Sequence, residues 1–343
     1  MSHRYPALVT GAIAVTALGM GLAACSSGSS SSSSAPSSTA SSASSASSAA
    51  GKTLELVVGT KSDDFYVTME CGAEAEASAL GVHLTVTGPA DFSAPEQAPI
   101  LNAVAVSKPD ALIVAPTDTK ALNPELSRIA GEGVKIVFVD TTTDDPSIAV
   151  SHITSNNIGG GELAAQNLGQ EIGGKGTVAV IDVNPGISTT DERIQGFDQE
   201  MKSKYPNIKV LPTQYDNDST STATSQVEGD ISAHPNLSGV FATNVLSAEG
   251  AATGVQHAGY SGKVKVATFD ADPQQMAALH SNTIQLAIAQ SPYLEGQDGV
   301  EQAVDALTGK PVTANIGTPL VAITRQNMND ASTQQYVYKS SCS

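Results

Sequence analysis

Short apolar runs rich in valine and isoleucine recur along the chain at 54–59, 82–87, 111–115, 135–139, 177–182, 208–212, 239–242, 264–269 and 284–289. Most lack strict polar alternation, which is the pattern of strands covered on both faces. Between them lie stretches of helical length and composition, among them 67–80, 161–172 and 192–205. Strand–helix alternation of this kind predicts an α/β fold of doubly wound parallel sheets with helices on both faces. Nine runs over about 290 residues exceed what one hydrophobic core accommodates, so two lobes are expected.

The first fifty residues follow a different pattern. Residues 7–21 are apolar and uncharged, too short to cross a bilayer comfortably and suited to the hydrophobic core of a signal peptide. The run exits through Leu22-Ala23-Ala24-Cys25, which resembles a bacterial lipoprotein signal. That resemblance implies a leader over 1–24, cleavage before Cys25 and lipidation of Cys25. Residues 26–50 are almost wholly Ser and Ala. With no large apolar side chain to offset the entropy of ordering, 25–51 reads as a flexible linker with a reach of roughly 25–30 Å.

Charge and composition narrow the function. Asp and Glu total 34 against 17 Lys and Arg, a net charge of −17. An acidic chain lacks the basic face that nucleic acids require, so no nucleic-acid partner is expected. Membrane contact is expected only through the lipid anchor. Tryptophan is absent, which excludes a tryptophan platform for carbohydrate. The three cysteines, Cys25, Cys71 and Cys342, are too few for a four-cysteine zinc site or a disulfide scaffold. His83, His152, His234, His257 and His280 are scattered without metal-ligand spacing. Residues 169–176 end in Gly176 where a P-loop needs Ser or Thr, and they follow a helix rather than a strand. The pair Asp216 and Asp218 lacks the glycine and terminal Glu of a calcium loop. No cofactor or metal is expected.

In doubly wound sheets ligands sit beyond the carboxyl ends of the strands. There the chain places Asp63-Asp64-Phe65-Tyr66, Asp140-Thr141, the stretch from Gly186 to Arg193, Thr243-Asn244, Asp270-Ala271-Asp272-Pro273 and Gln290-Ser291-Pro292-Tyr293. Each Asp or Asn alone is a good helix cap. Their recurrence at strand ends points to a site for a small polar molecule.

At these residues the chain resembles sugar-binding receptors of bacterial ABC importers, of the ribose-binding class. The likeness spans about 52–324 and rests on an ordered set of stretches. These are Asp63-Asp64-Phe65-Tyr66, Ala115-Pro116-Thr117-Asp118, Val139-Asp140, Ser151-His152-Ile153-Thr154-Ser155-Asn156-Asn157, Glu192-Arg193 with Gly196-Phe197, Phe241-Ala242-Thr243-Asn244, Thr268-Phe269-Asp270 and Ile288-Ala289-Gln290. The resemblance implies a type I periplasmic binding protein fold with ligand enclosed between two lobes. It implies a first lobe of 52–154 plus about 291–317, a second of 155–290 plus about 318–325, and a tail over 326–343. Asp63, Phe65, Tyr66 and Asp140 would face the ligand from the first lobe. Arg193, Asn244 and Asp270 would face it from the second, with Gln290 near the hinge. Carboxylates accept charge-assisted bonds from hydroxyls, a guanidinium offers forked donors, and aromatic rings lie against C–H faces.

Three positions depart from the pentose-binding pattern: Thr141 where Arg often follows the Asp, Val245 where Asp often follows the Asn, and Tyr215-Asp216-Asn217-Asp218 where an aromatic is often supplied. A different pentose, a linear polyol or a cyclitol is equally open. The expected function is the extracytoplasmic solute-binding component of an ABC importer, a monomer that captures a sugar or polyol and delivers it to the permease. A lipid-anchored sugar sensor is the alternative. An enzyme would need Asp63, Asp140 and Asp270 as acid and base, and no catalytic motif accompanies them. A Cys71–Cys342 disulfide is expected to pin the tail to the first lobe, since an extracytoplasmic location permits it.

Overall fold

The computed structural model describes residues 49–342. The leader over 1–24, Cys25 and most of the 25–51 linker lie outside the described residues.

The first lobe is built from β1 (Thr53–Val57), α1 (Asp64–Leu80), β2 (His83–Thr87), α2 (Ala94–Ser107), β3 (Ala111–Val114), α3 (Asn123–Gly131), β4 (Lys135–Val139) and β5 (Ser151–Ser155). The second contains α4 (Asn157–Glu171), β6 (Gly176–Asp182), α5 (Ser188–Lys204), β7 (Ile208–Val210), β8 (Gln214–Tyr215), α6 (Thr220–Ala233) and β9 (Leu237–Ala242). It continues through α7 (Val245–His257), β10 (Lys265–Phe269), α8 (Pro273–His280) and β11 (Leu286–Ala289). The chain then returns as α9 (Pro292–Thr308) and β12 (Asn315–Thr318), and ends with β13 (Val321–Ile323) and α10 (Ala331–Gln334).

Two sheets result, in the orders β12-β5-β4-β3-β1-β2 and β13-β11-β10-β9-β6-β7, with β8 paired to β6. Every pairing is parallel except β11 with β13. Central strands carry the apolar runs because both faces are covered: all four residues of β3 and of β11 are buried. The runs foreshadowed most strands but not β5, β8, β12 or β13. β8 and β13 are only 2 and 3 residues long, and β5 and β12 are largely polar, so no apolar run marks them. Helices start earlier than their apolar periodicity does. α1 begins at Asp64 behind an Asp63 cap, α4 at Asn157 behind an Asn156 cap, and α5 at Ser188. The first turns of α4 and α5 carry few apolar side chains, and that of α1 places Phe65 and Tyr66 outside the helical apolar period, so periodicity alone does not mark these starts.

Two glycines set the spacing of α4 and α5. A Cβ at Gly161 would stand 2.0 Å from the Arg193 carbonyl, and one at Gly196 would stand 2.0 Å from the Ile158 carbonyl. Only hydrogen at both positions lets the helices approach this closely, and the approach fixes where Arg193 sits. Phe197, one residue on, stacks on Phe241 at 4.4 Å between centroids.

The chain crosses between the sheets after β5, after β11 and after β12. Glu295, fully buried in the first turn of α9, gathers these crossings: its Oε1 accepts from Ser155 Oγ at 3.2 Å and Thr318 Oγ1 at 2.9 Å. Ser291 Oγ donates to the Pro319 carbonyl at 2.8 Å. The lobes also touch away from the hinge. The Thr119 amide donates to the Gly186 carbonyl at 3.1 Å, and the Thr142 amide to Ser188 Oγ at 3.0 Å. Val245 of the second lobe packs among apolar side chains of the first. The arrangement is closed.

In the structure Cys71 of α1 is bonded to Cys342, with Cα atoms 5.1 Å apart across 271 positions of sequence. In the chain-entropy account a loop that long is worth on the order of 5 kcal/mol, less whatever the loosened native state regains. Replacing both cysteines with serine is therefore expected to lower the melting temperature by several degrees in a thermal scan. An unchanged melting temperature would show that the bridge restrains little.

Candidate ligand-binding site

The carboxyl ends of both sheets face one cavity, and ligand sites of such sheets lie beyond the strand ends. All eight side chains singled out for a ligand line it: Asp63, Phe65, Tyr66, Asp140, Arg193, Asn244, Asp270 and Gln290.

Asp140 and Asp270 occupy matching places. Each follows the third strand from one edge of its sheet, β4 in one lobe and β10 in the other. Each has a left-handed backbone, with φ of 58° and 75°. Each amide donates at 2.8 Å to the neighbouring strand, to the carbonyls of Ile153 and Ile288. A left-handed aspartate costs conformational energy, and such residues persist where the surrounding structure holds them. Here the ladder bond from each amide does so and turns the carboxylate to the cavity.

Each of these carboxylates is also met by a tyrosine. Tyr66 donates to Asp140 Oδ2 at 2.6 Å. Tyr338 donates to Asp270 Oδ1 at 2.7 Å, beside a second 2.7 Å bond from Gln290 Nε2. Gln290 Oε1 is buried and accepts no hydrogen bond from the described residues. Burial of such an acceptor is costly unless a donor meets it.

Cap and site roles coincide at two positions. Asp63 caps α1 by accepting from the Phe65 amide at 2.8 Å through Oδ1. Asn244 caps α7 through Oδ1, while its Nδ2 donates to Asp218 Oδ1 at 2.8 Å. One side chain thus both starts a helix and faces the cavity.

Arg193 lies in the second turn of α5, not in the preceding loop. Its Nε donates to Asn157 Oδ1 at 2.9 Å, its Nη1 to the Thr243 carbonyl at 2.7 Å, and its guanidinium lies 4.1 Å over the Phe269 ring. These contacts fix the plane of the group and leave the remaining guanidinium N–H donors for a molecule in the cavity.

Six lining residues were not singled out in advance: Phe92, Val183, Ile187, Thr189, Thr190 and Asp218. Phe92 follows the second apolar run and stacks on Tyr66 at 6.3 Å, so the strand-end rule applied to every run would have found it. Asp218 sits in a left-handed turn with Asn217, with φ of 57° and 55°. Its amide donates to the buried Asp216 at 2.8 Å. Tyr215 lies outside this lining set and is 39% exposed. Thr141 turns away from the cavity and donates to the Pro116 carbonyl at 2.8 Å.

Among the described residues lining the cavity, four carboxylates face one cation. Burial pushes all four carboxyls up. Asp140 reaches about 6, with Arg193 and the Tyr66 hydroxyl opposing the rise. Asp63 is raised well above the usual range by burial and by Asp270, and Asp218 is raised chiefly by burial. Asp270 is raised by burial against the pull of Arg193, Gln290 and Tyr338. Such a cavity repels anions. It suits a neutral molecule with many hydroxyl donors, each satisfying a carboxylate oxygen. Among the described residues no cluster of three or more His, Cys, Asp or Glu side chains could hold a metal ion.

Residues 54–311 match the family model described as periplasmic binding protein domain. The chain belongs to this family. It is 31% identical over 278 residues to the ribose import binding protein of Escherichia coli (strain K12), covering 81% of this chain and 92% of that one. A solute-binding protein of an ABC transporter from Agrobacterium vitis, bound with alpha-D-tagatopyranose, is 41% identical with a TM-score of 0.82. That match covers 84% of this chain and 99% of the other. One from Agrobacterium radiobacter, in complex with D-arabinose, is 30% identical with a TM-score of 0.81 over 84% and 99% of the two chains. Family and fold thus identify a solute-binding component of a sugar ABC importer, of the type I periplasmic binding protein fold. The relatives are transport proteins, not enzymes. Periplasmic binding proteins work outside the cytoplasm, and no helix among the described residues is long and apolar enough to cross a membrane.

Proposed function

We propose that this protein captures a neutral monosaccharide between its lobes, held by Asp63, Asp140, Asp218, Asp270, Arg193, Asn244 and Gln290 against Phe65, Tyr66 and Phe92. The convergence of three buried carboxylates, Asp63, Asp140 and Asp270, and the half-buried Asp218 on a cavity with one guanidinium carries this reading. Hydroxyl donors would meet the carboxylates and the open Oε1 of Gln290, and ring C–H groups would lie on the aromatic wall. The 41%-identical relative bound with alpha-D-tagatopyranose supports a six-membered sugar ring of hexose or pentose size. A sugar bonded to both lobes favours the closed form by the contacts that only closure completes. The closed receptor then docks as a monomer on the importer's permease. Cys25, lipidated after cleavage of the leader, would hold it at the membrane through the 25–51 linker.

The test is a thermal-shift screen of residues 51–343 against D-tagatose, D-ribose, D-arabinose, D-allose, D-fucose and D-galactose, followed by calorimetry. A sugar at a hundred times its Kd adds about 2.7 kcal/mol and a visible rise in melting temperature. A cooperative melt unmoved by every sugar would overturn the reading.

A further inference from the structure

Beyond β13 the chain does not end in a free tail. It runs along the second lobe through α10 and then crosses to the first lobe beside the sugar cavity. The crossing falls between two successive residues. The Tyr338 amide donates to the Ala271 carbonyl of the second lobe at 3.0 Å. Lys339 is held by the first lobe, its amide donating to Thr68 Oγ1 at 2.7 Å. Ser340 Oγ then donates to Asp64 Oδ2 at 2.8 Å, and Cys342 closes the disulfide to Cys71. α1 carries Asp64, Thr68 and Cys71 at spacings that place them along one helix face.

At this crossing Tyr338 is 3% exposed. Its ring meets Phe65 edge-on at 5.8 Å between centroids. Its hydroxyl donates to Asp270 Oδ1 at 2.7 Å and accepts from the Gln290 amide at 3.1 Å. Asp270 and Gln290 line the cavity; Tyr338 does not.

We propose that Tyr338 is a positioning residue for the sugar site, orienting the Asp270 carboxylate from behind, and that the Cys71–Cys342 bridge is the latch that keeps it there. This rests on the sugar-binding reading above. The phenol remains a donor because burial and Asp270 hold its pKa well above the usual range. The carboxylate it serves also faces Arg193 of α5 and Gln290, and its charge is felt by Asp63, Asp140 and Asp218. Loss of the hydroxyl removes one of the donors that keep Asp270 ionised against burial.

Tyr338→Phe retains the ring on Phe65 and deletes only the hydroxyl. Measured with the tightest-binding sugar of the six-member panel, this variant is expected to bind about tenfold more weakly at pH 7. The pH below which its affinity falls is expected to move upward relative to wild type, with a fall of a few degrees in melting temperature from the Gln290 amide left without its acceptor. The Cys71→Ser/Cys342→Ser pair is expected to lose affinity as well, and adding Tyr338→Phe to it to cost little more, because both act through one hydroxyl. Wild-type affinity and an unshifted pH profile for Tyr338→Phe would overturn the proposal. Additive losses in the triple variant would overturn the role of the bridge. Failure of the wild type to bind any sugar of the panel would instead strike the sugar-binding reading.

Discussion

Replacing Arg193 with methionine is expected to weaken sugar binding by about a hundredfold or more. Three losses combine. Donors to the sugar oxygens vanish. The neighbouring Asp140 and Asp270 lose the positive charge that opposes their burial, so their carboxyls rise further and take up protons more readily. The bonds to Asn157 and to the Thr243 carbonyl also go, leaving buried partners unsatisfied. Methionine fills a similar length over Phe269, so the change tests charge and donors more than volume. Arg193→Lys is expected to recover only part of the loss, because an ammonium cannot serve Asn157, Thr243 and a sugar from one plane. Calorimetry with the tightest-binding sugar decides the matter. Affinity within threefold of wild type for Arg193→Met would remove Arg193 from the site.

Acidification from about pH 7.5 to about pH 5.5 is expected to stabilise the sugar-free protein and to weaken sugar binding. A carboxyl whose pKa is higher in the folded chain than in the unfolded one binds its proton more tightly in the native state. Its contribution favours folding at low pH and is lost as the pH rises through the folded value. Asp140 and Asp182 sit at about 6, and Asp216 and Glu249 at about 7, all chiefly through burial. Asp63 and Glu295 are likewise raised well above the usual carboxylate range, chiefly through burial. The window therefore runs from about 4, the unfolded value, to about 7. Asp110 and Glu132 are shifted the opposite way, but their losses fall below that window. Bound sugar favours the ionised acceptors, so the rise in melting temperature that it produces shrinks as the pH falls. Melting curves with and without sugar across this range are the measurement. A sugar-free protein that loses stability steadily from pH 7.5 to 5.5 would contradict the assignment of these buried carboxyls.

The aspartate pair at the matching strand ends shows how one fold presents two similar groups to one ligand. Asp140 and Asp270 have the same backbone strain, the same ladder bond and the same tyrosine partner type. The tyrosines differ in origin. Tyr66 comes from the first turn of α1 in its own lobe, whereas Tyr338 arrives from the far end of the chain.

The order of apolar runs and helical stretches was enough to determine an α/β fold with two sheets, because strands covered on both faces must be apolar throughout. The rule that ligands lie beyond strand ends was enough to mark the stretches that line the cavity, because backbone topology places those ends together whatever the loops do, and the family resemblance narrowed them to eight side chains that all line it. Other features were decided only in three dimensions. Asp218 reaches the cavity through a left-handed turn whose geometry depends on Asp216 and Asn244, both remote in sequence from one another. The edge strands β12 and β13 form because crossing segments find partners there, on β5 and β11, which no local apolar pattern signals. The position of Tyr338 behind Asp270 follows from a disulfide and bonds linking residues about 270 positions apart, and contacts over such separations leave no periodic trace in the chain.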